Sequence, residues 1–407
     1  MKSILIHATC ALVLCGAAAR GAGATAGDYL ELARHAPTPE QRLELLGRGL
    51  ALNPNHVPAL LLRASTHLEL GNDEPALGDS ARAAELVPDD FDVNVQAGAL
   101  AEKHKKYELA ARFMARAVVL DARDPRPRVS LVQALVKLRR ADKAIAHADY
   151  LVERYPHVDF PYSVRAEACE WAGRYDDSIS DLTTLIERHQ GDRQYVAYYM
   201  RRSSCYRAVG DGRKALEDAE TVLRLDGQDP YNYAARGCAY EELGELQKAF
   251  DDYQSAADLR DDEEYHKIWC CLILRKLGRR EEADKFIRDY LKESAEQFKQ
   301  GQWIHPVLKY LAGEMTEDKV FELARNEDPE TNREQLCEAY YYVGACHLAA
   351  GDLDKAEDLF NECLDQQVNN FYEHGFAIRD LRTTDKLRKE AAAADEKEGD
   401  RDEGKRE

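Results

Sequence analysis

Apolar residues recur along most of the chain at the spacing of an amphipathic helix. In one stretch Leu61, Ala64 and Leu68 lie three and then four positions apart, which places them on one helix face. Gly71 and several polar residues follow, and a second apolar segment starts at Ala76. This pattern predicts a helix, a tight turn and a second helix.

The helix–turn–helix pattern repeats at a nearly constant interval. A small residue marks the second helix of each unit at Ala76, Ala110, Ala144, Ser178, Ala215, Ala249 and Ala283. These positions are evenly spaced, apart from one longer step before Ala215. Another small residue stands twelve positions earlier in most units, as Gly237 does before Ala249. Small residues at both places indicate two helix backbones in close contact, and the turns between them are expected near the recurring glycines. Those glycines are Gly71, Gly173, Gly210, Gly244, Gly278 and Gly351.

Each unit has about 34 residues, two helices, small residues at these offsets, a turn glycine and a closing proline such as Pro54 or Pro88. Such a unit resembles the tetratricopeptide repeat. The resemblance implies an all-α fold, a tetratricopeptide-like helical-hairpin solenoid that winds as a right-handed superhelix. The unit between Pro125 and Pro156 departs from the pattern, because Val132 stands where a small residue is expected.

The repeat pattern divides the chain into five segments. Residues 1–24 form a leader, residues 25–297 form tandem repeats, and residues 298–336 form a degenerate helical repeat. Residues 337–386 form one more repeat with a C-terminal capping helix. Residues 387–407 are charged and lack apolar periodicity, so we expect a disordered tail there.

The leader has the three parts of a secretion signal. Lys2 gives it a positive start, Ile4 to Ala19 are mostly apolar, and small residues from Ala22 to Ala24 form a cleavage site before Thr25. We therefore expect export to the periplasm or the extracellular space. The apolar run is shorter than the roughly 20 residues that span a bilayer, so no integral membrane span is expected after cleavage.

Lipid attachment at Cys15 is disfavoured, because the bulky Leu14 precedes it where a lipidation signal has a small residue.

The cysteines of the mature chain show no metal-binding spacing. We expect most of them to be core thiols, with one or two disulfides as the alternative.

Charge and motif content exclude several function classes. The formal net charge of −19 argues against a nucleic-acid partner, because phosphate recognition needs clustered Lys and Arg. The sequence contains no nucleophile elbow, no zinc-protease motif and no glycine-rich phosphate loop. We therefore predict no enzyme activity, no catalytic residues and no cofactor. Acidic pairs such as Asp89–Asp90 lie at unit junctions and fit helix caps, so no metal site is predicted.

The first helices of successive repeats are expected to line a concave groove, which is the default binding surface of such an array. Arginine and aromatic side chains dominate binding energy at protein interfaces, so we predict partner contacts at one patch of this groove. The predicted patch comprises Arg201, Ser204, Arg207, Tyr231, Glu241, Tyr265 and Trp269. The alternative is that Arg201 and Arg207 form ion pairs within the chain.

The C-terminal region carries a second resemblance. The segments from Trp303 to Leu381, with CEAYYYVGACHLAAGDLDKAEDLFNECL at their centre, look like the C-terminal half of the bacterial envelope lipoprotein NlpI and its tetratricopeptide relatives. That resemblance implies a dimeric envelope adaptor that presents its groove to proteases and cell-wall hydrolases. Two alternatives stay open: a periplasmic holdase-type chaperone and a structural protein of the cell envelope.

Overall fold

All regular structure in the described residues is α-helical, as the repeat pattern predicts. The computed structural model describes residues 23–189, 195–227, 229–259, 264–294, 302–369 and 371–403. Within them the chain divides after residue 168 into two compact units, called unit 1 and unit 2 below. The predicted leader lies almost wholly outside the described residues.

In unit 1 the helices from α1 to α8 pack in sequence order, each against the next. These helices are α1 (Ala26–Arg34), α2 (Pro39–Leu52), α3 (Val57–Glu69), α4 (Asp73–Leu86), α5 (Phe91–Lys103), α6 (Tyr107–Leu120), α7 (Pro125–Lys137), α8 (Ala141–Arg154) and α9 (Phe160–Trp171), which runs past the division. The first helices α3, α5 and α7 start at equal intervals along the chain, and that interval matches the spacing from Ala76 to Ala110, so the sequence period is the structural period. Leu46, Leu60 and Phe113 lie in the core of this unit.

Unit 2 continues the pattern and ends in longer helices. Its helices are α10 (Tyr175–Arg188), α11 (Val196–Ala208), α12 (Gly212–Leu225), α13 (Pro230–Glu242), α14 (Leu246–Leu259), α15 (Glu264–Lys276), α16 (Arg280–Glu293), α17 (Ile304–Leu311), α18 (Glu317–Leu323), α19 (Pro329–Ala350), α20 (Leu353–Asp365) and α21 (Tyr372–Glu403). The predicted boundary at residues 336 and 337 falls inside α19. Helix α21 runs into the predicted disordered tail, where its alanine, glutamate and lysine residues have high helix propensity.

The turns between paired helices need a left-handed backbone. All six glycines predicted to mark turns have positive φ, for example +72° at Gly71 and +74° at Gly244. In two repeats of unit 1 the same turn position holds Lys105 (φ 55°) and Arg139 (φ 58°), which follow Gly71 by one and two repeat periods. Side chains with a Cβ adopt this conformation at a cost of about 1 kcal/mol, so these two turns are strained relative to the glycine turns.

Gly237 lies where the two helices of its repeat touch. A Cβ atom added there would stand 2.7 Å from Cε1 of Tyr253 and 3.3 Å from the carbonyl oxygen of Ala249. The predicted close contact between Gly237 and Ala249 is therefore present. Gly98 meets Met114 and Gly344 meets Phe360 in the same way.

We expect Gly237→Ala to destabilise the protein by about 1–3 kcal/mol, because the new methyl group overlaps a buried aromatic ring. Gly78→Ala is the matched control, since no atom lies within 4 Å of the Cβ that it would add in helix α4. The control should stabilise the helix by up to about 1 kcal/mol. Urea unfolding of both variants measures the difference, and equal effects would contradict the packing argument.

An arginine on the first helix and an aspartate on the second tie several repeats together. The two residues stand sixteen positions apart, and the guanidinium of the first binds both carboxylate oxygens of the second. The pairs are Arg63 with Asp79, Arg202 with Asp218, and Arg236 with Asp252. The aspartates are nearly buried, so these two-point contacts fix the angle between the helices of a repeat.

None of the helices in the described part of the chain is long and apolar enough to cross a bilayer.

Candidate functional site

In unit 2 the first-helix surface is covered by the chain's own C-terminal helix. Helix α21 packs against α11, α19 and α20, and its side chains reach α13 and α15. Just before it, the Asn369 amide donates a hydrogen bond of 2.9 Å to the carbonyl oxygen of Trp171 in α9. Helix α21 therefore lies across the first helices of this unit.

The first part of α21 contributes an aromatic contact. The ring of Trp269 on α15 lies 5.0 Å from that of Tyr372 and 5.4 Å from that of Phe376, measured between centroids. The ring of Tyr253 on α14 lies 5.5 Å from the same indole. Only 4% of Trp269 is exposed, so this predicted groove residue belongs to the core of unit 2.

The middle of α21 contributes a buried ion cluster. Lys276 Nζ lies 2.7 Å from Glu241 Oε1 and 2.9 Å from Asp380 Oδ2. Arg379 lies 2.9 Å from Glu241 and 2.8 Å from Asp380, which closes a ring of two cations and two anions. Burial opposes the ionisation of Asp380, but the charges of Arg379 and Lys276 outweigh it and lower the pKa of Asp380 to about 2.

Farther along α21, Arg382 binds the C-terminal end of α11. It donates hydrogen bonds of 2.8 Å to the carbonyl oxygen of Ala208 and 2.9 Å to that of Arg207. A third hydrogen bond of 2.6 Å reaches Oε1 of Glu242 on α13. Terminal helix carbonyls lack partners within their own helix, so a cation at this end is favourable.

The remaining residues of the predicted patch also contact other parts of unit 2. Arg201 forms an ion pair of 3.0 Å with Glu170, which fits the alternative interpretation of that arginine. Arg207 is 9% exposed and donates to the Ser204 hydroxyl, which is itself exposed. Tyr231 is 38% exposed and its ring lies against His266.

Tyr265 of the predicted patch faces a buried pair of carboxyl groups. Its hydroxyl donates a hydrogen bond of 3.1 Å to Glu338, which also accepts one of 2.8 Å from the indole of Trp303. Glu373 is buried nearby and accepts from the hydroxyl of Tyr342.

The structure thus divides the predicted patch into three groups. Tyr265, Glu241, Trp269 and the carbonyl oxygen of Arg207 contact residues of α19 or α21. Arg201 is paired with Glu170, and Ser204 and Tyr231 stay exposed. Whether the patch binds a partner stays a prediction.

The corresponding surface of unit 1 is open to solvent. Its exposed residues form helical stripes on α3, α5 and α7, here called the first-helix face: Pro58, Ser65, Leu68, Glu69, Asp92, Gln96, Ala99, Lys103, Arg126 and Lys137. Ser65 and Ala99 are exposed, whereas Cys238 and Leu272, at the same place in repeats of unit 2, are buried. Ser204 at the same place on α11 is also exposed, so unit 2 covers this surface on α13 and α15, whereas unit 1 leaves it open on α3 and α5.

A cleft of unit 2 lies beside its covered groove. It has a volume of about 490 Å³ and lies between α13, the start of α14, α15, α19 and the N-terminal half of α21. Leu243, Leu246 and Leu348 form part of its wall, and Lys276 and Arg382 add charge.

Asp90 of the pair Asp89–Asp90 is a helix cap, as predicted, whereas Asp261, Asp262 and Glu263 of a second acidic run lie outside the described residues. Asp90 caps α5 by accepting from the backbone N–H of Val93. Among the described residues no group of three or more His, Cys, Asp or Glu side chains could hold a metal ion.

Two segments of the chain match sequence models of the family described as Tetratricopeptide repeat, at residues 231–263 and 338–368. Tetratricopeptide repeats are thus detected in these two segments. The second segment includes Gly344 and the turn at Gly351, and the first includes Gly237 and the turn at Gly244, so the matches fall on repeats described above.

Solved structures of tetratricopeptide-repeat proteins are similar to the chain at low sequence identity. A Parabacteroides merdae protein is 18% identical with a TM-score of 0.42, and the match covers 58% of this chain and 92% of that one. TTC0263 of Thermus thermophilus is 20% identical with a TM-score of 0.36, over 46% and 99% of the two chains. YrrB, described as having an unusual peptide-binding site, is 16% identical with a TM-score of 0.31, over 55% and 96%.

The sequence pattern predicted a capping helix after residue 337 but not the groove that it covers. A signal for that contact exists in the chain, because Tyr372, Phe376 and Asp380 stand four positions apart and so share one helix face. The spacing of 16 residues between Arg202 and Asp218 recurs between Arg236 and Asp252, and this recurrence is a second sequence signal, for ion pairs between the two helices of a repeat.

Proposed function

We propose that the chain is an exported scaffold that binds peptide or protein partners along the first-helix face of unit 1. The contrast between the two units carries this proposal. In unit 2 the equivalent surface already holds helix α21, through aromatic contacts and a buried ion cluster. In unit 1 the described helices leave the same surface to solvent, and stacked repeats offer such a surface for extended partners.

The chemistry of the first-helix face favours an amphipathic partner. Leu68 is 42% exposed on α3 and lies two turns from the half-buried Leu61 on the same helix face, so it supplies an apolar anchor point. Carboxylates stand on α3 and α5 at Glu69 and Asp92, and cationic residues follow on α5 and α7. A partner segment in which polar groups flank an apolar side chain matches this arrangement.

The envelope adaptor is the version of this function that we favour. The leader at residues 1–24 supports export, and the resemblance of the C-terminal region to NlpI supports envelope proteases or cell-wall hydrolases as partners, with a homodimer as the assembly. A scaffold role without catalysis is also the usual role of tetratricopeptide-repeat proteins.

Affinity purification of the chain from an envelope extract of its source, followed by binding measurements with the recovered partner, tests the proposal. Leu68→Asp should weaken binding at least tenfold, because it places a charge where an apolar side chain is buried on binding. Val119→Asp is the matched control, since Val119 is 83% exposed on the second helix α6 and should leave affinity unchanged.

Several results would contradict this proposal. Equal affinity of wild type and Leu68→Asp would remove the first-helix face from the binding site. Suppression of aggregation of unrelated unfolded proteins, without a saturable partner, would favour the holdase. Recovery of the chain with wall material and no partner would favour a structural role, and recovery from the cytosol alone would contradict export.

A further inference from the structure

Two cysteine thiols of unit 2 meet across a helix pair. Cys337 lies on α19 and Cys363 lies on α20, and their Sγ atoms are 3.3 Å apart. Both residues are fully buried, in the core that also contains Tyr341, Tyr342 and Phe360. Because α19 and α20 are both packed in this core, the positions of the two sulfur atoms are fixed by the packing of their helices.

Other buried cysteines have contacts of a different kind. Cys205 Sγ lies 3.6 Å from the hydroxyl of Ser178, and Cys238 Sγ lies 3.3 Å from that of Tyr253. Cys271 Sγ lies 3.8 Å from the carbonyl oxygen of Ala283. These thiols face hydrogen-bonding groups of the repeat core, whereas Cys337 and Cys363 face each other, and Cys363 Sγ also lies 3.9 Å from the carbonyl oxygen of Glu373.

We propose that Cys337 and Cys363 form a disulfide when the chain meets a disulfide oxidant, and that this bond braces the helix pair on which α21 docks. A disulfide has a sulfur–sulfur distance of about 2.05 Å, so the two Sγ atoms need to approach by about 1.2 Å. Rotation of two side chains supplies a movement of that size. The inference does not rest on the proposed binding function.

The chemistry is thiol–disulfide exchange with a small disulfide such as oxidised glutathione. One cysteine thiolate attacks a glutathione sulfur, which forms a mixed disulfide and releases one glutathione as its thiolate. The second cysteine thiolate attacks the protein sulfur of that mixed disulfide and releases the second glutathione. Two protein thiols thereby lose two electrons and two protons, and one glutathione disulfide gains them to become two thiols.

Burial decides when this exchange takes place. The thiolate is the reacting species, and a thiol that is fully enclosed by apolar groups is shielded from both ionisation and reagent. The exchange therefore occurs while the chain folds, when α20 has not yet closed on α19. The finished bond is then protected by the same packing.

Refolding of the full chain from urea with oxidised and reduced glutathione, against refolding with reduced glutathione alone, tests the proposal. Trypsin releases Cys337 in residues 334–355 and Cys363 in residues 356–379, so a linked pair of these peptides reports the bond by mass spectrometry. The first peptide also contains Cys346, so the Cys346→Ala variant is needed to assign the link. Alkylation should count two fewer free thiols in the oxidised sample.

The bond should raise the melting temperature of the oxidised chain by roughly 5–10 °C, because it closes the loop between residues 337 and 363 in the unfolded state and so lowers the entropy of that state. Cys346→Ala should keep both the linked peptides and this shift, and Cys363→Ala should lose both. Absence of the linked peptides, a link that disappears in Cys346→Ala, or an equal shift in Cys363→Ala would each overturn the proposal.

Discussion

Replacement of Asp380 by alanine is expected to lower the free energy of unfolding of unit 2 by about 3–5 kcal/mol. The Asp380 carboxylate is 1% exposed and lies within 3 Å of both Lys276 and Arg379. Without it, the two cations share the single carboxylate of Glu241, and all three side chains are largely buried. An uncompensated buried charge costs far more than the loss of a surface ion pair.

Asp385→Ala is the matched control, because Asp385 is an exposed aspartate of the same helix, α21. Its effect should stay within about 0.5 kcal/mol. Urea unfolding followed by tryptophan fluorescence, to which Trp269 against α21 contributes, measures the loss. A further change of Lys276 to methionine should recover part of the stability that Asp380→Ala loses, because it removes the surplus cation. If Asp380→Ala and Asp385→Ala lost the same stability, the buried cluster would not hold α21 in the groove.

The buried carboxyl group of Glu338 makes the stability of unit 2 depend on pH. Burial and the neighbouring carboxyl group of Glu373 raise the pKa of Glu338 from 4.5 to about 8, against the opposing effect of hydrogen bonds from Trp303 and Tyr265. Between these two pH values the folded state holds a proton that the unfolded state has released. The stabilisation that protonated Glu338 contributes is therefore fully present below about pH 4.5 and is lost as the pH rises to about 8.

Glu338→Gln removes this titration and keeps an oxygen that accepts from Tyr265 or Trp303. We expect the variant to match the wild type at pH 5 and to exceed its free energy of unfolding by about 3–4 kcal/mol at pH 8. The comparison at each pH cancels the contribution of groups that do not interact with Glu338, such as His374, whose pKa burial lowers to about 4. Glu362→Gln, at an exposed position of α20, should show no such difference. A constant gap between wild type and Glu338→Gln from pH 5 to pH 8 would exclude Glu338 as the cause.

The repeat architecture was predictable because it depends on local features. Small residues at fixed offsets, turn glycines and helical spacing act within a single repeat, and the positive φ angles at Gly71 and Gly244 confirm them. The turns at Lys105 and Arg139 were predictable from the period alone, since their side chains give no turn signal.

The candidate site was less predictable, because it depends on which surface a distant helix covers. The amino-acid pattern was enough to establish an all-helical array of repeats, the residues of its first helices and the presence of a capping helix. The folded chain was needed to show that α21 lies on α11, α13 and α15 of unit 2, which turns Trp269 and Glu241 into core residues and leaves the first-helix face of unit 1 open. The reason is physical: helix periodicity is set by neighbours in the sequence, whereas the docking of α21 depends on contacts between residues more than one hundred positions apart, as Lys276 and Asp380 are.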